Sequence, residues 1–207
     1  QYTPAVGWAQ SIAYRARVLG ESRFAGCLAV AHGGEASTTA NGFWAALNVA
    51  TTQKLPLLFC VEDNGYGISV KSDLQTPGAN IAANLAAFKG LKIVEADGWR
   101  IDDAVRAIAA AVAHVRGAQG PALLRLRVPR LSGHSGQDTQ TYKSADEIAT
   151  ERERDPLKAL RAYLVPRALS EQQWAALEAE ARDAVAQALA RVEARPTPDP
   201  TLAVRHA

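Results

Sequence analysis

The chain has 207 residues, of which 48% are hydrophobic and 21% are charged, a composition typical of a soluble globular protein. Its 23 basic and 21 acidic side chains leave a formal charge of +2, too small a surplus to indicate nucleic acid or an anionic membrane as a partner. The longest apolar runs, such as residues 57–61, are far too short to span a bilayer.

The two cysteines, Cys27 and Cys60, lie inside short apolar runs. Two cysteines in a chain of this size do not make a disulfide framework, so we expect buried free thiols in a reducing cytoplasm. The amino end carries no basic segment followed by an apolar one, so no signal peptide is predicted. Because the sequence begins at Gln1 and contains no methionine, we expect it to be a piece of a longer protein.

Four short apolar runs alternate with segments of helical composition. In chain order, the expected helices cover residues 4–19, 41–53, 80–88 and 102–115. The expected strands cover residues 27–31, 55–61, 91–96 and 121–128, with glycine or turn signals after the first two, at Gly33-Gly34 and at 62–65. Apolar strands that alternate with helices are typical of a parallel sheet covered on both faces. We therefore predict an α/β fold with a mainly parallel sheet between two helical layers.

The composition changes at Ser144, and we divide the chain there. An α/β domain is expected over residues 1–143, and a helical segment that packs on it over residues 144–195. Ser170 is expected to cap a long helix ending near Ala194, with Gln173 at the reciprocal position of a capping box. Residues 196–207 are expected to form a flexible tail, because three prolines lie near its start.

Three of the four expected strands end in residues that suit ligand binding, and open parallel sheets bind ligands at that edge. Glu35 follows the first strand, Asn64 and Tyr66 follow the second, and Arg130 and His134 follow the fourth. Carboxylate, amide and carbonyl oxygens are ligands suited to Mg²⁺ or Ca²⁺. Imidazole and guanidinium groups suit phosphate oxygens. The three loops together therefore predict a diphosphate held through a magnesium ion.

The order and spacing of these loops resemble those of the alpha subunits of pyruvate and branched-chain 2-oxo acid dehydrogenases, which are thiamine diphosphate enzymes. Their motif is Gly-Asp-Gly followed, a little under thirty residues on, by Asn-Asn. Here Gly34-Glu35-Ala36 precedes Asp63-Asn64-Gly65-Tyr66, and Glu35 and Asn64 are 29 positions apart (35 to 64). Residues 43–48, 130–135 and 155–157 also resemble segments of those subunits. The chain is thus identified as similar to the alpha subunit, or to the alpha-like half of a fused chain, of the decarboxylating component.

The resemblance assigns functions to individual residues. The metal ligands would be Glu35, Asn64 and the carbonyl of Tyr66. The cofactor-binding residues would be Gly34, Ala36, Ser37, Asn64, Tyr66 and His134. The catalytic residue would be His134, in a loop ordered by Arg130 and Asp138. The cofactors would be thiamine diphosphate and Mg²⁺.

The resemblance also implies an activity and partners. The activity would be oxidative decarboxylation of pyruvate or a branched-chain 2-oxo acid, with acyl transfer to a lipoyl group. The partners would be a beta subunit or beta-like domain, in a heterotetramer or a fused homodimer, and the lipoyl domain of the acyltransferase component. The 207-residue chain alone would be inactive, because family members take the activating Glu from the beta partner. Two alternatives are another thiamine diphosphate enzyme, transketolase-like or acetoin-cleaving, and a non-catalytic scaffold that keeps the fold.

Overall fold

The computed structural model describes residues 1–202. Its strands, numbered along the chain, are β1 (Ala29–Gly34), β2 (Leu57–Asp63), β3 (Tyr66–Gly67), β4 (Val70–Lys71), β5 (Lys92–Asp97) and β6 (Ala122–Arg127). Four of them form one parallel sheet in the order β1-β2-β6-β5, and β3 and β4 form a separate antiparallel hairpin. The predicted parallel sheet is confirmed.

Helices cover both faces of this sheet: α1 (Tyr2–Arg17), α2 (Asn41–Thr52) and α3 (Ile81–Asn84) on one, and α4 (Ile101–Arg116) on the other. Three further helices follow along the chain, α5 (Ala145–Glu153), α6 (Pro156–Leu164) and α7 (Glu171–Glu193). Alternate residues of β2 point to opposite faces. Phe59 packs in the cluster formed with α1, α2 and α3, whereas Leu58 packs in the cluster formed with α4. The predicted three-layer α/β/α arrangement is therefore confirmed.

The first strand differs from its prediction. It begins at Ala29 and continues through Gly33 and Gly34, which were expected to interrupt it. The strand continues through both glycines because it stays paired with β2, with Gly34 opposite Glu62. Cys27 consequently lies before β1, and both it and Cys60 are free thiols that are only half-buried, so the prediction of two buried thiols is wrong.

Two local elements also differ from their predictions. The expected helix over residues 80–88 contains only the four residues of α3, where the Asn80 side chain accepts a hydrogen bond from Ala83 N. The expected turn over residues 62–65 starts later, because Glu62 and Asp63 complete β2. The hairpin of β3 and β4 was not predicted, since strands of two residues are too short to show an alternating pattern.

The chain divides into two compact units, Gln1–Leu160 and a second that begins at Arg161. In the second, Ser170 Oγ accepts a hydrogen bond from Gln173 N, and Gln173 Oε1 accepts one from Ser170 N, which confirms the predicted capping box. The division at residue 144 stays a prediction. The predicted tail, 196–207, falls partly outside the described residues. Within residues 1–202, no helix is long and apolar enough to cross a membrane.

Candidate functional site

Glu35 joins the ends of the first two strands. It follows β1 directly and begins a short 3-10 helix, Glu35–Thr39, with a side chain that is only 4% exposed. Its Oε2 accepts a hydrogen bond from Asn64 N at 3.3 Å, and its Oε1 accepts one from Ser72 Oγ at 3.3 Å. Two residues that the sequence assigned to one metal site are therefore in direct contact.

The Glu35 carboxylate has an electrostatic environment that suits a cation. Burial raises the pKa of Glu35, and the charge of Asp63 raises it further. Within residues 1–202, no basic side chain lies within 4.0 Å of this carboxylate. The described residues also contain no group of three or more His, Cys, Asp or Glu side chains placed to bind a metal ion. A cation here would therefore combine one carboxylate with neutral oxygens, a set that Mg²⁺ accepts.

A tight turn follows β2 and presents Asn64 and Tyr66. Asn64 Oδ1 accepts a hydrogen bond from Tyr66 N, and Asp63 Oδ1 accepts one from Gly65 N, both at 3.0 Å. Gly65 has a φ of +80°, a left-handed conformation that glycine adopts without strain. The amide oxygen of Asn64 carries two lone pairs, so one is left for a metal ion after this hydrogen bond.

The Tyr66 side chain anchors the turn to α5. It is 7% exposed, and its hydroxyl donates to Glu147 Oε1 at 2.5 Å. Its ring lies 5.4 Å from that of Tyr142 and 4.9 Å from the Lys143 ammonium. Burial, followed by the hydrogen bond to Glu147 and nearby carboxylate charges, raises the pKa of Tyr66. The phenol therefore stays protonated and acts as a hydrogen-bond donor.

The loop after β6 folds around Asp138. Its carboxylate accepts hydrogen bonds from His134 N at 2.7 Å, Gln140 N at 2.9 Å and Tyr142 Oη at 2.8 Å. Arg130 Nη2 lies 3.2 Å from Asp138 Oδ2. The bond from His134 N is the largest of the effects that together lower the pKa of Asp138 to about 2. The structure thus brings together Arg130 and Asp138, the two residues expected to order this loop.

A cavity of about 410 Å³ separates this loop from the turn after β2. Its lining residues are Asn64, Tyr66, Pro129, Arg130, Leu131, Ser132, Gly133 and His134. His134 is exposed there, whereas Arg130 is buried against Asp138. The volume is within the range of small-ligand pockets. The structure therefore places His134 on the same cavity as two of the expected metal ligands.

The remaining predicted residues contact the protein rather than this cavity. Ser37 Oγ donates to Gly34 O at 2.6 Å and lies 2.6 Å from Tyr2 Oη. The methyl group of Ala36 lies against Gly67, where an added Cβ would be 2.5 Å away. Among the described residues that line the cavity, none is Gly34, Ala36 or Ser37. Gly34 ends β1, and Ala36 and Ser37 lie in the first turn of the helix Glu35–Thr39, where backbone amides have no partner within a helix.

Four polar residues around the site were missed by sequence reasoning. They are Ser72, Arg125, Lys143 and Glu147, which contact Glu35, Asp63, Glu151 and Tyr66 respectively. A charged residue inside an apolar central strand was a visible signal for Arg125. Ser72 and Glu147 follow no local pattern, because their partners are 37 and 81 positions away. Lys143 and Glu151 are only 8 positions apart, but they lie on either side of the start of α5, where no single helical period relates them.

Residues 5–201 match the family described as dehydrogenase E1 component. The pyruvate dehydrogenase E1 component subunit alpha of Rhizobium meliloti is 28% identical over 174 residues, 83% of this chain and 50% of that protein. The 2-oxoisovalerate dehydrogenase subunit alpha of Bacillus subtilis is 32% identical over 132 residues, 63% of this chain and 40% of that protein.

A third relative is the alpha subunit of acetoin:2,6-dichlorophenolindophenol oxidoreductase from Cupriavidus necator. It is 28% identical over 169 residues, 81% of this chain and 50% of that protein. The chain spans about half the length, or less, of these three relatives. Because the family match covers nearly all of the chain and the relatives are alpha subunits, the chain belongs to the dehydrogenase E1 component family, as a member of its alpha type.

Proposed function

We propose that the chain holds Mg²⁺ and the diphosphate of thiamine diphosphate for the oxidative decarboxylation of a 2-oxo acid. The hydrogen bond between Glu35 and the Asn64 amide carries this proposal, because it joins two strand ends in one polar site. Membership of the dehydrogenase E1 component family supports the same chemistry.

Glu35, Asn64 and the Tyr66 carbonyl are the proposed metal ligands. Glu35 supplies a buried carboxylate that no basic side chain of residues 1–202 neutralises. Asn64 supplies an amide oxygen and Tyr66 a backbone carbonyl from one tight turn. Mg²⁺ commonly binds one or two carboxylates and completes its octahedron with phosphate and water oxygens. The residues present therefore fit the ion.

His134 is proposed to contact the diphosphate and to line the entrance to the site. It is exposed on the cavity that Asn64 and Tyr66 also line. The backbone around Gly34, Ala36 and Ser37 would hold the diphosphate through amide donors, since the Ser37 hydroxyl is already bonded within the protein. When bound, thiamine diphosphate supplies the carbanion chemistry, and the chain supplies binding and orientation.

We further propose that the chain works with a beta subunit or beta-like domain and passes the acyl group to the lipoyl domain of an acyltransferase component. Alpha subunits of pyruvate and 2-oxoisovalerate dehydrogenases among the relatives support this assignment and make pyruvate or a branched-chain 2-oxo acid the proposed substrate. We propose a cytoplasmic location for the assembled protein. The 207-residue chain by itself is expected to be inactive.

Acetoin cleavage is the second candidate function, supported by the relative that acts on acetoin. Two assays on the assembled protein separate the candidates. Decarboxylation of a 2-oxo acid with acyl transfer to a lipoyl domain supports the first. Acetoin-dependent reduction of a dye, without 2-oxo acid turnover, supports the second.

Calorimetric titration of thiamine diphosphate into the assembled protein, with and without Mg²⁺, tests the metal site. Glu35→Ala should abolish the Mg²⁺-dependent binding. Glu62→Ala is the matched control, because Glu62 lies on the adjacent strand but its side chain is 51% exposed and paired with His32. An affinity in Glu35→Ala equal to that of the unsubstituted protein would rule out the metal assignment.

A further inference from the structure

A buried ion pair lies next to the turn that carries Asn64 and Tyr66. Asp63 ends β2, and Arg125 lies on the neighbouring strand β6. Arg125 Nε and Nη2 lie 2.7 and 2.5 Å from Asp63 Oδ2. The two side chains are 6% and 10% exposed, for Asp63 and Arg125 respectively. At such burial the Asp63 charge depends on Arg125, because water cannot replace a lost partner.

The two oxygens of Asp63 have separate partners. Oδ1 accepts from Gly65 N and closes the turn, while Oδ2 accepts from Arg125. An asparagine has one accepting oxygen and a donating NH₂ group. With its oxygen toward Gly65 N, an asparagine at position 63 would point its NH₂ group at the Arg125 guanidinium, which is also a donor. With its oxygen toward Arg125, it would leave Gly65 N without an acceptor. The chemistry around position 63 therefore requires a carboxylate.

Arg125 also links this turn to the far edge of the sheet. Its Nη1 donates to Glu95 Oε2 on β5 at 2.6 Å, and its Nη2 lies 3.5 Å from Ala79 O. The Glu95 side chain is 41% exposed, so water solvates it as well. The ends of β2, β6 and β5 are thereby joined through one guanidinium. The place of the turn after β2 is fixed by three strands rather than by its own short loop.

Charge balance gives the pair a second consequence. Glu35 and Asp63 put two carboxylates beside the proposed diphosphate site, and one Mg²⁺ cannot offset both of them and the diphosphate. Arg125 contacts Asp63 and neutralises it locally. Without Arg125, an uncompensated negative charge would face an anionic ligand and weaken its binding.

We propose that Asp63 and Arg125 are a positioning pair, which fixes the turn of residues 64–66 for the metal ion and keeps the local charge low enough for the diphosphate. The inference rests on the proposed function for its ligand. Neither residue touches the reacting atoms. The pair acts through Asn64 and Tyr66.

A double-mutant cycle on the assembled protein tests the pair, with thiamine diphosphate affinity measured by calorimetry at saturating Mg²⁺. Arg125→Gln should weaken binding by about tenfold, because it loosens the turn and leaves the Asp63 charge uncompensated. Asp63→Asn should weaken binding by about threefold, because it loosens the turn but also removes a negative charge. The double substitution Asp63→Asn/Arg125→Gln should bring the affinity back to within about threefold, because two amides can hydrogen-bond to each other. Arg125→Lys keeps the charge and should weaken thiamine diphosphate binding by about threefold. It replaces Arg125→Gln in the test if that variant does not fold.

The ion pair of Asp97 and Arg127 is the matched control. It has the same residue types at the ends of β5 and β6, at 2.9 Å, with Arg127 62% exposed. Asp97→Asn and Arg127→Gln should leave the affinity unchanged. Unchanged affinity in the Asp63 and Arg125 variants, or losses that simply add in the double substitution, would overturn the positioning pair.

A second measurement keeps this inference separate from the proposed function. Hydrogen exchange of the Gly65 and Tyr66 amides, without ligand, should be about tenfold faster in Arg125→Gln and should recover in the double substitution. If the unsubstituted protein binds no thiamine diphosphate, the proposed function fails, and the exchange rates alone decide the inference. Exchange rates equal in all variants would then overturn it.

Discussion

The Tyr66 hydroxyl donates a hydrogen bond of 2.5 Å to Glu147 Oε1, across 81 positions of sequence. The bond ties the turn after β2, with its proposed metal-binding carbonyl, to α5. Hydrogen bonds to charged acceptors contribute about 1.5–3 kcal/mol, so this bond adds a contact to α5 to those that the turn makes with the strands. Helix α5 is therefore part of the support of the site, although it contributes no proposed ligand.

Replacing Tyr66 by Phe should lower the free energy of unfolding by about 1.5–3 kcal/mol, because the partly buried Glu147 carboxylate loses its donor. Tyr14→Phe is the control, since Tyr14 is 55% exposed and should change stability by less than about 0.5 kcal/mol. Chemical denaturation of both variants gives the comparison. Equal stability of the two variants would mean that the bond to Glu147 does not hold the turn.

Replacing Glu35 by Gln should stabilise the metal-free chain by about 0.5–2 kcal/mol at pH 7. Burial raises the pKa of Glu35, so the folded chain holds this proton more tightly than the unfolded chain. The free energy of unfolding therefore falls as pH rises above the unfolded value, about 4.3. A glutamine can still accept from Asn64 N and donate to the Ser72 hydroxyl.

The advantage of Glu35→Gln should vanish below about pH 4, where both states of the unsubstituted chain are protonated. It should reverse when Mg²⁺ and thiamine diphosphate are added to the assembled protein, because the ion stabilises only the carboxylate form. Denaturation at pH 4 and pH 7 measures the first effect, and thermal shifts with ligand measure the second. A metal-free variant less stable than the unsubstituted chain at pH 7 contradicts the argument.

The loop around Asp138 should keep its conformation until the pH is very low. Its hydrogen bonds lower the pKa of Asp138 from 3.8 to about 2. A depressed pKa in the folded state means that the stabilisation is present above the unfolded value and is lost as pH falls through about 2. The amide resonances of His134 and Gln140 should therefore hold constant from pH 7 to about 4 and shift with a midpoint near 2.

The core amide of Phe59 distinguishes this loop transition from unfolding of the whole chain. In Asp138→Asn the transition should be absent, and the His134 and Gln140 amides should already exchange faster at neutral pH. A midpoint near the ordinary value of 3.8 in the unsubstituted chain would show that these hydrogen bonds do not persist in solution.

Two glycines of one loop should respond differently to alanine. A Cβ on Gly133 would lie 2.1 Å from Asp138 O, whereas a Cβ on Gly136 would meet nothing within 4 Å. Gly133→Ala should therefore displace the backbone around Asp138 and raise amide exchange at His134 and Gln140 by about tenfold or more. Gly136→Ala should leave those rates unchanged. Similar rates in both variants would place the loop farther from Gly133 than the structure has it.

Local patterns predicted the layers of this fold but not the ends of its elements. The apolar run of β2 was recognisable because a strand buried on both faces is apolar throughout. The continuation of β1 through Gly33 was not, because it depends on pairing with a strand almost thirty residues away. At Gly33 an added Cβ would lie 2.7 Å from Ser37 Oγ, so glycine serves close packing there and not a chain break.

The candidate site shows the same limit. The positions of Glu35 and Asn64 followed from motif spacing, since the ends of adjacent parallel strands lie at one edge. The residues that hold Glu35 and Asn64 in place could not be predicted in this way. The hydrogen bond from Arg125 to Asp63, for example, spans 62 positions, and no periodicity connects residues at that separation. Hydrogen-bond partners of this kind depend on the register of whole strands, which single-sequence patterns do not determine.

The strand order has a consequence for biosynthesis. The last strand of the parallel sheet along the chain, β6, takes an interior place between β2 and β5, and in residues 1–202 it is the one strand that pairs with β5. While residues 122–127 of a nascent chain are still inside the ribosome, β1 and β2 can already pair with each other. Strand β5 has no strand to pair with until β6 emerges. Asp63 also lacks its partner until then, because Arg125 lies on β6. The site of Glu35 and Asn64 is therefore completed only after β6 has inserted between β2 and β5.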